Sequence, residues 1–312
     1  MRPFLIDTDA GSDDAVALVM ALNSPDPEIE VVAITVVAGN VPLEQGLQNA
    51  LYTVELCNKT TPVYAGLAKP IMTSLNTAQN VHGHDGLGDI NLPLFGRRPA
   101  EGKAVQVILD TVHRFAGEIT LVTLGPLSNL ACALLQDPSI ASKVKECVIM
   151  GGVGLGYGNV TPVAEYNIWT DPEAAKIVFE SGMPLKMVGW DISYKYAVFG
   201  PEDSQRLAST GTPLARFCVD IQKALTQFAL EETKLAGFDL PDPITMAIAI
   251  NPRVATETKS LYVAIETQSS LCRGQTVVDH LGVTGQPPNV AVVLAASREL
   301  FLEMLHQAVE RT

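Results

Sequence analysis

The first strand and the residues behind it set the strictest limit on the fold. An apolar run, Phe4-Leu5-Ile6, passes directly into Asp7-Thr8-Asp9-Ala10-Gly11-Ser12-Asp13-Asp14, and a helical apolar pattern, Ala15 to Leu22, follows at once. Four carboxylates packed this closely raise one another's pKa and lose hydration when buried, so they destabilise a core unless a cation compensates them. The cluster therefore belongs on the rim of a sheet, between a strand end and a helix start.

The same rhythm recurs along the chain. Val31 to Val37 is a continuous apolar run, as expected for a strand covered on both faces. A helix over Leu43–Cys57 follows, then strands at Val63–Tyr64, Ile119–Thr123, Val148–Met150 and Leu185–Val188, with helices at Leu127–Gln136 and Pro172–Glu180. Repeated βα units predict an α/β fold: one domain over residues 1–312, with an open, mainly parallel but mixed sheet and helices on both faces.

Two stretches break the rhythm. Residues 67–102 form a long Gly/Pro/Asn-rich loop, and loops of that length in compact domains are usually functional. The final third carries helices over Pro213–Leu235, Asp242–Ile250 and Ser297–Arg311, with strands at Leu261–Ile265 and Val290–Leu294. The 213–250 segment is expected to flank the site. In such sheets ligands bind beyond the carboxyl ends of the strands. The polar residues placed there are the four aspartates, Gly39-Asn40, Gly125-Pro126 with Asn129, and Gly151-Gly152.

Charge narrows the partners. Thirty-four acidic residues against 21 basic ones give a formal charge of −13, which argues against nucleic acid and anionic membranes. A small neutral substrate and a bound cation remain compatible. No apolar stretch reaches a membrane span, the N-terminus lacks signal-peptide character, and five scattered cysteines read as reduced, so a cytoplasmic protein is expected.

Helix capping would explain one or two of the aspartates, since Ser12 or Asp13 can cap and acids favour a helix start. It does not explain four. An all-oxygen donor set favours Ca²⁺ or Mg²⁺ over zinc. An EF-hand is excluded, because its pattern counted from Asp7 requires Gly at Ser12 and Glu at Leu18. A strand followed by Asp-x-Asp also suits a metal-dependent phosphatase with Asp7 as nucleophile, although that reading leaves Asp13 and Asp14 without roles.

The run from Asp7 to Ala15, DTDAGSDDA, resembles the N-terminal signature of the inosine-uridine-type nucleoside hydrolases, DxDxGxDDA. Further matches follow in order: Val37-Ala38-Gly39-Asn40, His82-Gly83 with Gly86-Leu87-Gly88, Leu124 to Asn129, and Met150-Gly151-Gly152. The stretch Asn159 to Asn167, NVTPVAEYN, running into Asp171-Pro172-Glu173-Ala174-Ala175, is the most specific after the first. The resemblance covers nearly the whole chain.

It implies a Rossmann-like fold and Ca²⁺-dependent hydrolysis of the N-glycosidic bond of ribonucleosides to ribose and free base. By position, Asp9 and Asp14, the backbone carbonyl of Leu124 and the side chain of Asp242 would ligate calcium. Asp9 would also take the proton of the calcium-bound attacking water. Asp13, Asn40, Asn159, Glu165 and Asn167 would hold the ribose, His82 would contact the base or close over it, and Asp7 would support the site from behind. Relatives form dimers or tetramers, so a homo-oligomer is expected.

Asp242 between Pro241 and Pro243 also fits a plain helix start, and both roles can hold together. The departure from the family is Pro241 itself. Many relatives carry a histidine there, thought to protonate the departing base, and some purine-preferring ones a tryptophan. Proline has neither a proton nor an aromatic face, so the base stays unassigned. A binding protein without turnover is the non-catalytic alternative.

Overall fold

The computed structural model describes residues 1–233 and 236–310. In chain order its strands are β1 Arg2–Thr8, β2 Ile29–Val36, β3 Val63–Ala65, β4 Thr120–Thr123, β5 Glu146–Met150, β6 Leu185–Val188, β7 Val198–Phe199, β8 Phe238–Asp239, β9 Ala255–Ile265, β10 Thr276–Asp279 and β11 Val290–Ala296. One sheet takes the order β10-β9-β11-β6-β5-β4-β1-β2-β3, and β7 pairs with β8 as a separate antiparallel ribbon. Pairing is parallel from β3 through to β11. β9 then runs antiparallel to β11, and β10 antiparallel to β9. The expected open, mainly parallel and mixed sheet is what forms.

Side-chain alternation in β1 explains its burial on both sides. Phe4 and Ile6 join a core with the helices Ser12–Leu22, Leu43–Leu56, Pro241–Ile250 and Arg298–Glu310. Leu5 points the other way, into a core with Ala104–Arg114, Ser128–Gln136 and Pro172–Phe179. From β1 the chain steps outward to β2 and β3, then returns to the opposite side of β1 with β4, β5 and β6. The helices that follow β1 and β4 cover opposite faces, so a crevice opens beyond the carboxyl ends of these two strands.

Three features differ from expectation. The helix expected over Pro213–Leu235 is divided into Pro213–Asp220, Lys223–Phe228 and a π-helical turn Ala229–Thr233. At the division, Gln222 is buried and donates its side-chain amide to the carbonyl of Ser12 at 2.9 Å, which draws this segment over the aspartates. Positions 234, 235 and 311 of the expected helices lie outside the described residues. β9 begins at Ala255, well before Leu261, because its first half is exposed and carries no apolar run. Finally, the 67–102 stretch is the expected loop but contains the short helix Gln79–His82, which was not expected. No helix among the described residues is long and apolar enough to cross a membrane.

Candidate active site

After β1 the chain turns through Ala10, whose φ of 50° lies in the left-handed region, and enters the helix at Ser12. Asp14 stabilises that helix start: its Oδ2 accepts the Gly11 N–H at 2.8 Å and its Oδ1 the hydroxyl of Thr8. The helix start is therefore closed by Asp14 on Gly11, and not by Ser12 or Asp13 as expected. Asp9 is fully buried; Oδ2 accepts the Asn40 N–H at 2.7 Å and Oδ1 the Asn40 side-chain amide at 3.2 Å. A Cβ at Gly39 would lie 2.0 Å from Asp9 Oδ2, so only glycine lets β2 come this near.

Asp7 lies behind the others. Its Oδ2 accepts the Thr35 hydroxyl and the Asn129 amide, at 2.5 and 2.8 Å, and it does not reach the cavity described below. Bonded to Thr35 and Asn129 behind the cluster, Asp7 takes the supporting place expected of it rather than that of a nucleophile.

Oxygen atoms of Asp13, Asp14 and Asp242 lie within 4.8 Å of one another, all three residues buried. Asp242 arrives in the first turn of Pro241–Ile250, the helix that packs against Ser12–Leu22. Asp9 is not within that group, its two oxygens being engaged by Asn40. Asp13 Oδ1 is buried without a hydrogen bond, and His82 Nδ1 approaches it only to 3.7 Å while lying 3.0 Å from the Ser12 hydroxyl. Burial, reinforced by the neighbouring carboxylates, holds Asp9, Asp13 and Asp242 well above the usual carboxylate range. Burial also pushes His82 down to about 4, so the imidazole supplies no positive charge near neutrality. A buried all-oxygen cluster with an orphaned carboxylate oxygen is the donor set that a hard divalent cation satisfies.

A cavity of about 480 Å³ opens above this cluster. Asp13, Asn40, His82 and Asp242 line it from one side, and Leu124, Asn159, Glu165 and Asn167 from the strand ends of β4 and β5. Asp9 and Asp14 are fully buried and do not line it. The Leu124 carbonyl accepts the Asn167 amide at 2.7 Å, and Asn159 Oδ1 accepts the Tyr166 N–H at 2.9 Å.

Glu165 accepts backbone N–H groups from Gly152 and Asn167, both at 2.8 Å, and from Ile168 at 3.3 Å, capping the helix Tyr166–Thr170. Burial outweighs these bonds and pushes its carboxyl from the ordinary 4.5 up to about 7. The folded protein thus holds this proton longer than the unfolded chain does. The stability this contributes is complete below the ordinary value and lost as pH rises through about 7. Glu165→Gln removes that titration. In chelator, its unfolding free energy is expected to fall less steeply than wild type between pH 5 and pH 8, as read by denaturant melts; parallel slopes would contradict the shift.

The sequence reading missed Tyr157, Trp190 and Asp239, which also line the cavity. Asp239 Oδ2 accepts the Trp190 indole N–H at 2.7 Å and the Ser193 hydroxyl at 2.6 Å. Trp190 follows the end of β6 by two residues, the class of position that marked the other rim residues, so the same rule would have found it. Asp239 carries no comparable signal, because its partners lie far away in sequence. Pro241 lines the cavity too, next to Asp242. His84, exposed and beside Asp89, takes no part in it.

Comparison with known proteins gives one answer throughout. The family described as inosine-uridine preferring nucleoside hydrolase matches residues 4–303. The pyrimidine-specific ribonucleoside hydrolase RihA of Escherichia coli O139:H28 is 40% identical over 305 residues, covering 97% of this chain and 96% of its own length. A solved plant nucleoside hydrolase superposes with a TM-score of 0.92 at 33% identity, covering 100% of this chain and 99% of its own. A purine-preferring ribonucleoside hydrolase from Gardnerella vaginalis gives 0.91 at 29% identity, covering 99% and 98%.

Proposed function

The chain belongs to the inosine-uridine preferring nucleoside hydrolase family, N-glycosyl hydrolases of ribonucleosides, and from that premise we propose a calcium-dependent reaction in which Asp9 is the base. One observation carries the cation: three buried carboxylates, Asp13, Asp14 and Asp242, converge at the cavity, and among the described residues no lysine or arginine forms an ion pair with them. Asp14 and Asp242 would hold it, with Asp9 and the Leu124 carbonyl completing the set. When bound, Ca²⁺ supplies fixed positive charge that orients the sugar hydroxyls and acidifies water.

The remaining chemistry falls to the chain. Asp13, Asn40, Asn159, Glu165 and Asn167 present carboxylates and amides to the cavity, matched to the hydroxyls of a ribose held with C1′ toward the acids. Breaking the glycosidic bond sends its electron pair to the base nitrogen and leaves oxocarbenium character on the sugar, which the surplus negative charge stabilises. Water adds at C1′ and its proton passes to an Asp9 carboxylate oxygen. Pro241 has no proton to give, so the departing base nitrogen takes its proton from solvent water.

The test is ribose release from inosine, uridine, cytidine and p-nitrophenyl riboside in calcium. Turnover of at least one substrate is expected. Ribonucleoside binding by calorimetry without release of ribose from any of them would instead establish a non-catalytic binding protein.

A further inference from the structure

The cavity wall beyond β5 and β6 has a different chemistry from its floor. Trp190 makes edge-on ring contacts to Tyr157 at 5.7 Å and Tyr194 at 5.0 Å, and Tyr157 stacks on Tyr194 at 5.2 Å. The indole is fixed by further bonds: its backbone N–H to the Gly152 carbonyl at 2.9 Å, and its ring N–H to Asp239. The loop carrying Tyr157 is pinned as well, because buried Asp191 accepts the N–H groups of Gly154 and Leu155 at 2.7 and 3.2 Å. Of this cluster, Trp190 and Tyr157 reach the cavity. β1 and β6 are separated by β4 and β5, so the strands from which the floor and the wall arise lie roughly 14 Å apart at the usual strand spacing, and their side chains converge on one cavity between them.

The geometry points to Trp190 as the residue on which the base stacks, with Asp239 as its positioning residue and purine ribonucleosides as the favoured substrate class. The inference rests on the ribonucleoside hydrolase reading and deepens it. The acids and amides account for the sugar, whereas a base needs a flat apolar surface, and this wall provides one that is rigid before substrate arrives. Stacking strengthens with overlapping ring area, so a bicyclic base gains more from the indole than a pyrimidine does. Asp239 contributes by holding the plane of the ring; both bonds it accepts, from Trp190 and Ser193, fall on one oxygen.

Initial rates of ribose release from adenosine, inosine, guanosine, uridine and cytidine test the assignment in wild type, Trp190→Leu and Asp239→Asn. Wild type is expected to show higher kcat/KM for the purine ribosides. Trp190→Leu should lower that value about 10-fold or more for purines and much less for pyrimidines. Asp239→Asn should raise KM for purines while sparing kcat. A pyrimidine preference in wild type, an equal loss across all five substrates, or an unchanged purine KM in Asp239→Asn would overturn it.

A second readout needs no turnover and tolerates loss of the leucine variant. Trp169 and Trp190 are the chain's two tryptophans. Adenine should quench fluorescence in wild type and Trp169→Phe but not in Trp190→Phe; equal quenching in the two phenylalanine variants would refute stacking. Ribose release from no nucleoside, alongside Trp190-dependent quenching, would defeat the hydrolase reading while leaving the base site standing.

Discussion

Asp9→Asn is expected to lower kcat by about 10³-fold while the protein stays folded, since a positioned general base contributes roughly 10²–10⁴-fold. The structure gives reason to expect the separation. Asp9 contributes to folding by accepting the Asn40 N–H through Oδ2, and an asparagine carbonyl can accept that same bond. Relief of charge repulsion with Asp13 and Asp14 would offset a weakened second bond. What asparagine cannot do is take a proton. The measurement is ribose release beside a thermal melt, both in calcium. A near-wild-type rate would remove the base assignment, and a collapsed melting temperature would turn the loss into one of folding.

Chelation should have the second large effect, in activity and stability together. With the cation gone, Asp13, Asp14 and Asp242 must share a buried space with their oxygens within 4.8 Å. The raised pKa values of Asp13 and Asp242 show the direction of the strain: without the cation the fold favours these two acids protonated. A ligand that binds only the folded state at a thousandfold excess over Kd adds about 4 kcal/mol to stability. EDTA-treated protein is therefore expected to release no ribose and to melt several degrees lower, and millimolar Ca²⁺ should restore both. Because protons and cation compete for the same oxygens, the calcium-dependent rise in Tm should grow from pH 5 to pH 8. Undiminished activity after exhaustive chelation, with metal analysis confirming removal, would refute the cation role.

Much of this architecture was legible because it is local. Apolar runs for β1, β2 and β4–β6 are contiguous, and an acid cluster behind the first of them has few physical solutions. The rim rule then gathered Asp13 and Asn40 onto one cavity, to which the family resemblance added Leu124 and Glu165. What stayed hidden depends on distant pairing or on a competing tertiary demand. Trp190 and Asp239 lie 49 residues apart and meet only because the β7–β8 ribbon returns the chain to the end of β6. The division of the expected 213–235 helix follows from one buried side chain, Gln222, reaching the Ser12 carbonyl. The polar first half of β9 has neither alternation nor an apolar run to mark it. Asp14 joins the two scales: it closes the helix start locally and also lies beside Asp242, more than two hundred residues on.

The sheet order has a consequence for biosynthesis. Asp9, Asp13 and Asp14 are made well before Leu124, which reaches them only when β4 inserts beside β1, and Asp242 follows only after β6. Throughout that interval the nascent protein carries a group of acids whose partners have not been synthesised. A polypeptide made only as far as β6 therefore lacks Asp242, and the group Asp13, Asp14 and Asp242 closes only once the helix Pro241–Ile250 packs on Ser12–Leu22.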